Sequence, residues 1–150
     1  MKTDSTMTAR LLLELQQTWH QTIPVSQFMQ VTPVHFDGDQ FSCTAPIAPN
    51  INLHQTMFAG SIYTLMTLTG WGMLWLQQRV HGVEGNIVLA DAHIRYIAPI
   101  TQAPQVSVTW PESTSLDALK TGGKVKVTLE VQLHCADKLC ATFTGLYVSY

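Results

Sequence analysis

PNINLHQTMFAGSIYTLMTLTGWGMLW, Pro49 to Trp75, divides into a polar head and an apolar tail. Asn50, Asn52, His54, Gln55 and Thr56 give the head a loop composition, and Phe58-Ala59-Gly60-Ser61 is a hinge into a tail of helical length. No Asp, Glu, Lys or Arg occurs between Asp39 and Arg79. A helix that is apolar on nearly every side must be buried, either in a protein core or in a bilayer. About twenty uncharged residues are long enough to span a membrane. However, Gly60, Ser61, Thr64, Thr67, Thr69, Gly70 and Gly72 dilute this run, and its flanks lack the basic clusters that set topology. Lys124 to His134, KVKVTLEVQLH, places Val125, Val127, Leu129, Val131 and Leu133 on one face and polar groups on the other. That is a strand with one wet face, as in an antiparallel sheet. The expected architecture is therefore a central helix wrapped by a sheet, with no membrane span.

The remaining segments fit this plan. Residues 1–7 read as a loose tail, and 8–150 as one domain with room for one core. Thr8 can cap a helix reaching His20, with Leu12, Leu15 or Gln16, and Trp19 on one side and Pro24 as its stop. Val31–Phe36 and Gln40–Ile47 read as a hairpin about Asp37-Gly38-Asp39, with Phe41, Cys43 and Ala45 on one face. The central helix is expected over Ala59–Arg79. Strands follow at Asn86–Ile97, Gln105–Trp110, 123–135 and 138–149, with a helical turn near Leu116–Leu119 and a tight turn at Ala136-Asp137-Lys138. In Asn86–Ile97, simple alternation puts Val88, Ala90, Ala92, Ile94 and Tyr96 on one face, and Leu89, Asp91, His93 and Arg95 on the other. Strands segregated from one long helix argue for an α+β fold with an antiparallel sheet.

Composition narrows the function classes. Charged residues are 12% of the 150, against about 25% in typical soluble domains, which suggests that another subunit covers part of the surface. A net charge of −2 and the lack of a basic stripe argue against nucleic acid. Leu11-Leu12-Leu13 is too short for a signal peptide's apolar region and Glu14 follows at once. Three scattered cysteines, Cys43, Cys135 and Cys140, read as reduced thiols of a cytoplasmic protein. With His134 their spacing matches no zinc pattern, so no metal or other cofactor is expected.

The chain resembles the hotdog fold of acyl-thioester enzymes over nearly its whole length. In particular it resembles the thioesterase-like domain that forms the C-terminal half of some bacterial GNAT-type acetyltransferases. The residues carrying the resemblance are Ile23-Pro24-Val25-Ser26 with Met29, Ala45-Pro46-Ile47 with Pro49-Asn50-Ile51-Asn52, Thr56-Met57-Phe58-Ala59-Gly60-Ser61, Leu68-Thr69-Gly70-Trp71-Gly72 and Tyr96-Ile97-Ala98-Pro99. An acetyltransferase half is not expected in a chain of this length.

The resemblance implies a site. Related thioesterases place an Asn-containing loop before a His-Gly-Gly turn that opens the central helix; Asn52 matches the Asn, and Phe58-Ala59-Gly60 the turn. The N–H at Gly60 would then stabilise the oxyanion, with Asn52 holding the carbonyl or the attacking water. Relatives carry a carboxylate about two turns along the helix, where this chain has Thr67, whose hydroxyl can orient a water but not act as a free base. The strand position that often bears Ser or Thr is Leu89. Asp91 is a stand-in base reaching across a dimer interface, or else an interfacial partner of His93 or Arg95. His54 is a catalyst or a loop residue bonded to backbone. Thr56, Met57, Phe58, Ala59, Ser61 and Met66 would line the acyl site, though the methionines, Trp71 and Met73 also fit an ordinary core. The implied partners are an acyl thioester of coenzyme A or of acyl carrier protein, with Arg79, Lys120, Lys124 and Lys126 as the available phosphate contacts, and a second copy of the chain joined through Asn86–Ile97 as a homodimer or a dimer of dimers. Alternatives are a module that binds acyl thioesters with little catalysis, or a structural interaction domain without an acyl tunnel.

Overall fold

The computed structural model describes residues 3–150. The first helix, α1, is Ser5–Thr22. It begins four residues earlier than the sequence suggests because Asp4, not Thr8, is its cap. The Asp4 carboxylate accepts from the Met7 N–H at 2.8 Å, satisfying one of the orphan donors of a helix start. Thr8 instead shares a 2.7 Å hydroxyl bond with Thr3. Residues 3–7 of the expected tail are thus part of the fold, and residues 1–2 lie outside the described residues. The buried stripe is Leu11, Leu15 and Trp19. The Ile23 N–H closes α1 on the Trp19 carbonyl. Pro24 then opens a short second helix, α2 (Pro24–Phe28), at a position where its missing N–H is harmless.

Six strands form one sheet, all of whose pairings are antiparallel: β1 (Thr32–Phe36), β2 (Gln40–Thr44), β3 (Ile87–Tyr96), β4 (Gln105–Thr109), β5 (Val125–Cys135) and β6 (Lys138–Ser149). Their spatial order is β1-β2-β4-β5-β6-β3. In the β1–β2 turn the Asp37 carboxylate accepts from the Asp39 and Gln40 N–H groups at 2.9 and 2.8 Å. The turn between β5 and β6 places Ala136 and Asp137 at φ 50° and 65°. β5 buries Val125, Val127, Leu129, Val131 and Leu133, as its alternation requires. The expected helical turn in the preceding loop is a 3-10 helix at Asp117–Thr121.

The central helix, α3 (Ala59–His81), packs against β2 to β6 on one side and α1 on another, giving a hotdog fold. No described helix is long and apolar enough to cross a membrane. Two glycines set how closely α3 approaches its neighbours. A Cβ on Gly70 would lie 2.3 Å from the Tyr147 hydroxyl oxygen, and that hydroxyl donates to the Thr67 carbonyl at 2.7 Å. A Cβ on Gly72 would lie 2.7 Å from the Trp19 ring and 2.9 Å from the Phe41 ring. Tyr63, Thr67, Trp71 and Trp75 are only half-buried, and the Trp71 indole N–H donates to the Ile87 carbonyl at the start of β3 at 3.2 Å. The Cys43 thiol, pushed up to about 12 by burial, contacts the Thr69 hydroxyl at 2.7 Å.

Simple alternation fails in β3. Leu89 pairs with Tyr147 and Asp91 with Leu146, so Ala90 is an extra residue in a bulge. Beyond it the faces exchange. Leu89, Ala92 and Ile94 pack on the core, while Val88, Asp91, His93 and Arg95 are exposed. β3 is also an edge, because only β6 pairs with it.

Two outcomes follow from these contacts. Gly70→Ala gains about 0.5–1 kcal/mol of helix propensity but forces a methyl into the buried Tyr147 ring, an overpacking that costs about 1–3 kcal/mol. Urea unfolding should therefore show a net loss of stability. Asp37 is held below its ordinary 3.8, chiefly by the Gln40 and Asp39 N–H bonds. A depressed carboxylate stabilises the fold above its unfolded pKa, and this stability is lost as the pH falls through the folded value. The stability gap between the wild type and Asp37→Ala should be full at neutral pH and shrink below about pH 4.

Candidate active site

The head of the Pro49–Trp75 segment folds onto itself before it delivers α3. Asn52 organises the loop. Its Oδ1 accepts from the His54 N–H at 2.9 Å and the Thr56 N–H at 3.2 Å, and its Nδ2 donates to the Thr56 hydroxyl at 2.9 Å. An amide nitrogen has two donors, so one Nδ2–H has no protein partner among the described residues. Leu53 forms the tip at 85% exposure, flanked by exposed His54 and Gln55. The Met57 N–H then bonds the Ile100 carbonyl, and the Phe58 N–H the Asn50 carbonyl, both at 2.8 Å. Asn50 is itself buried, and its Nδ2 donates to the carbonyls of Met29 at 2.9 Å and Pro46 at 2.8 Å. The helix entrance is thereby tied to α2 and to the Ile97–Ile100 segment.

The entrance is electrostatically open. Phe58 is the N-cap and supplies no side-chain bond. The first helical bond runs from the Ile62 N–H to the Phe58 carbonyl, which leaves the N–H groups of Ala59, Gly60 and Ser61 without acceptors among the described residues. Free donors and the positive end of a 23-residue helix dipole coincide there. Tyr96 fixes the spot in the fold by donating its hydroxyl to the Ala59 carbonyl at 3.1 Å. Burial, with Tyr63 nearby, raises that phenol above its ordinary value.

Two hollows flank the entrance. One, about 380 Å³, is lined by Asn52, Thr56, Met57, Ala59, Ile62 and the Tyr96–Ile100 segment. The other, about 460 Å³, lies between α2 and α3, with Val25, Phe28, Met29 and Pro49 facing Phe58, Gly60, Ser61 and Thr64. The expected site residues are thus divided. Asn52, Thr56, Met57 and Ala59 open on the first hollow, and Phe58, Gly60 and Ser61 on the second. The Phe58 ring leans over Gly60, where a Cβ would meet it at 2.5 Å. Met66 is fully buried in the core and lines neither hollow. The His54 side chain is also absent from both linings.

Thr67 lies seven residues beyond Gly60, about 10 Å along the axis, so one chain cannot bring both to one carbonyl. Its Oγ1 is sealed from solvent and has no partner among the described residues, whereas Thr64 and Thr69 donate back to the Gly60 and Leu65 carbonyls at 2.9 and 2.7 Å. Asp91 is not brought to the entrance; it stands on the exposed face of β3, past the bulge. Neither hollow is lined by a charged side chain. Arg79 pairs with Glu14 and lies 5.0 Å over the Trp75 ring, and Lys120 pairs with Asp117 at 3.1 Å. Among the described residues no group of three or more His, Cys, Asp or Glu side chains could hold a metal.

Sequence reasoning missed the buried Asn50 tie and the α2 wall. Asn50 stood out only as one of several polar loop residues. Phe28 fell between predicted elements, where no periodicity gave it a face.

Comparison with known proteins identifies the family and the fold. The family described as "Putative thioesterase (yiiD_Cterm)" matches residues 12–150. A "putative thioesterase" from Shewanella oneidensis is 65% identical; the match covers 94% of this chain and 98% of that one, with a TM-score of 0.92. A Chlorobaculum tepidum protein of unknown function is 28% identical over 97% and 98% of the two chains, with a TM-score of 0.88. Thioesterase superfamily member 2 from Mus musculus, at 19% identity over 95% and 97% and a TM-score of 0.69, shares the fold alone. With its family match spanning nearly all of its length, and its fold shared with thioesterases, this chain belongs to the family described as "Putative thioesterase (yiiD_Cterm)".

Proposed function

We propose that the protein hydrolyses acyl thioesters of coenzyme A or acyl carrier protein, with the carbonyl polarised at the entrance of α3. The observation that carries this reading is the set of three open N–H groups at Ala59, Gly60 and Ser61, set between two hollows with no charged lining. Water adds to the thioester carbonyl, the oxygen becomes an oxyanion bonded to these donors, and collapse breaks the C–S bond to release a carboxylic acid and a thiol. One such donor is typically worth about 3–4 kcal/mol in the transition state. The free Nδ2–H of Asn52 is the further donor, from the side of the first hollow.

Two copies complete the site in this reading. The entrance of α3 lies at the Tyr96 end of β3, whereas Thr67 is level with Leu89 through the Tyr147 hydroxyl and the Leu89–Tyr147 pairing. β3 is a ten-residue edge with Val88 and Tyr96 exposed, of a kind that proteins usually cover. An antiparallel pairing of two β3 edges centred near Ala92 and His93 would set the Thr67–Leu89 level of one chain beside the entrance of the other. Thr67 there orients the water after its hydroxyl turns about χ1, and Asp91, on the exposed face, takes no part. Three buried free thiols suit a cytoplasmic setting. A second reading, acyl-thioester binding without turnover, is favoured by the lack of a carboxylate in either hollow.

Thiol release from acyl-coenzyme A and acyl-carrier thioesters separates the two readings. Asn52→Asp keeps the acceptor for the His54 and Thr56 N–H groups but removes the donor, so kcat is expected to fall about 100-fold or more with thermal stability retained. Saturable binding without release of thiol from any substrate would instead establish the binding module. Thr67→Val removes a buried, unpartnered hydroxyl, so the expected pattern is equal or higher stability with lower kcat; unchanged kcat would remove Thr67 from the mechanism. Mixing the Asn52→Asp and Thr67→Val proteins should restore part of the activity each lacks. No restoration under conditions that exchange subunits would argue against a shared site.

A further inference from the structure

We infer that the trough between α2 and the first turn of α3 holds the acyl chain of the thioester, and that Phe28 and Val25 set how long a chain it accepts. This rests on the thioesterase reading, in which the carbonyl sits on the open donors of α3. Gly60 and Ser61 carry two of those donors and line the trough. A carbonyl bound to them therefore stands at its mouth, and one of its two substituents must leave along it.

The chemistry of the two hollows assigns the substituents. The α2 trough is walled by Val25, Phe28, Met29, Pro49 and Phe58. Its Thr64 hydroxyl is already engaged with the Gly60 carbonyl. Among the described residues the Ser61 hydroxyl is what remains there for an amide-bearing arm, and no charged side chain lines the trough for a phosphate. The opposite hollow also has apolar walls, including Met57, Ile62 and Ile97, but it adds the free Nδ2–H of Asn52, and the Thr56 and Tyr96 hydroxyl oxygens, bonded to Asn52 and to the Ala59 carbonyl, keep lone pairs there that can accept from the amides of a pantetheine arm. An alkyl chain needs only carbon contact, and a volume of about 460 Å³ lies within the usual range for ligand pockets.

Exposure and rigidity support the same assignment. Phe28 is 73% exposed, Phe58 55% and Val25 49%, so the apolar side chains that would grip a chain stand open around the mouth. The trough is preformed. Asn50 bonds the Met29 carbonyl at the end of α2 and accepts the Phe58 N–H at the cap of α3. The Ser26 hydroxyl holds α2 from below by donating to the Ile23 carbonyl at 2.7 Å.

The test is a chain-length series of acyl-coenzyme A esters, from acetyl to palmitoyl, on the full chain and on its Phe28→Asp, Val25→Asp and Ile97→Asp variants. Sedimentation analysis of each protein accompanies the kinetics. For the wild type kcat/KM should rise about fourfold per added methylene until the trough is filled. In Phe28→Asp and Val25→Asp the ratio of long-chain to acetyl kcat/KM should fall at least about tenfold, the scale on which apolar pockets discriminate chain length. Ile97→Asp, in the opposite hollow, should lower all chain lengths together. An unchanged profile in both α2 variants, a profile flattened by Ile97→Asp instead, or α2 variants that alter only the oligomeric state would overturn the inference. If no ester is hydrolysed, thioether analogues of the same series are titrated by calorimetry. Affinity that rises with chain length and is lost in Phe28→Asp would retain the subsite while hydrolysis fails; no binding at any length would end both.

Discussion

A 23-residue helix without an acidic side chain, whose basic groups appear only in its last turn, is stable only if other parts of the chain remove it from water. Everything else in this protein is arranged to do that. The sheet supplies one wall, α1 another, and Gly70 and Gly72 let the walls come close enough to close the gaps. The Tyr147 ring fills the notch at Gly70, and its hydroxyl satisfies the Thr67 carbonyl rather than remaining an unpaired polar group in the core. Thr64 and Thr69 similarly dispose of their hydroxyls on the preceding turn. The polar residues that dilute the helix as a membrane span are the ones that let it pack as a core.

Burying a helix this way also orients it. Its positive end must emerge somewhere, and it emerges at Phe58, a residue with no side-chain acceptor to offer. α1 shows the contrast: Asp4 caps its start and engages the donor that α3 leaves open. The bonds that surround the α3 entrance, from Asn50, Ile100 and Tyr96, hold its position without occupying its N–H groups. A rigid, uncapped helix start in an uncharged setting is well suited to stabilising an oxyanion. No carboxylate side chain lines either hollow beside it.

How much of this was legible depended on the range of the forces involved. The alternation Val125 to Leu133 and the uncharged run after Asp39 are statistical signals spread over many residues, and both translated into the structure. Single-residue signals fared less well. Thr8 looked like a cap, but the helix already starts at Ser5 with Asp4 as its cap. β3 seemed to alternate strictly, but the register against β6 inserts Ala90 and moves Leu89 to the inner face. Asn52 lines the hollow beside the entrance, and most of its hydrogen-bonding capacity holds its own loop. Met66 looked like an adaptable acyl contact and is core, because helical phase rather than composition fixes which way a side chain points.

The sequence alone determined that one apolar helix would be enclosed by an antiparallel sheet, since hydrophobic period and charge distribution act locally and add up along the chain. It also determined that the entrance of that helix would be glycine-containing and polar-headed. Only the tertiary structure decided which donors stay open, that Asn52 and Gly60 look into different hollows, that Asp91 turns away, and that α2 supplies a wall. These depend on contacts between residues distant in sequence, such as Asn50 with Met29 and Tyr96 with Ala59. No local pattern encodes such a contact, because it exists only once the packed sheet has fixed where each segment lies.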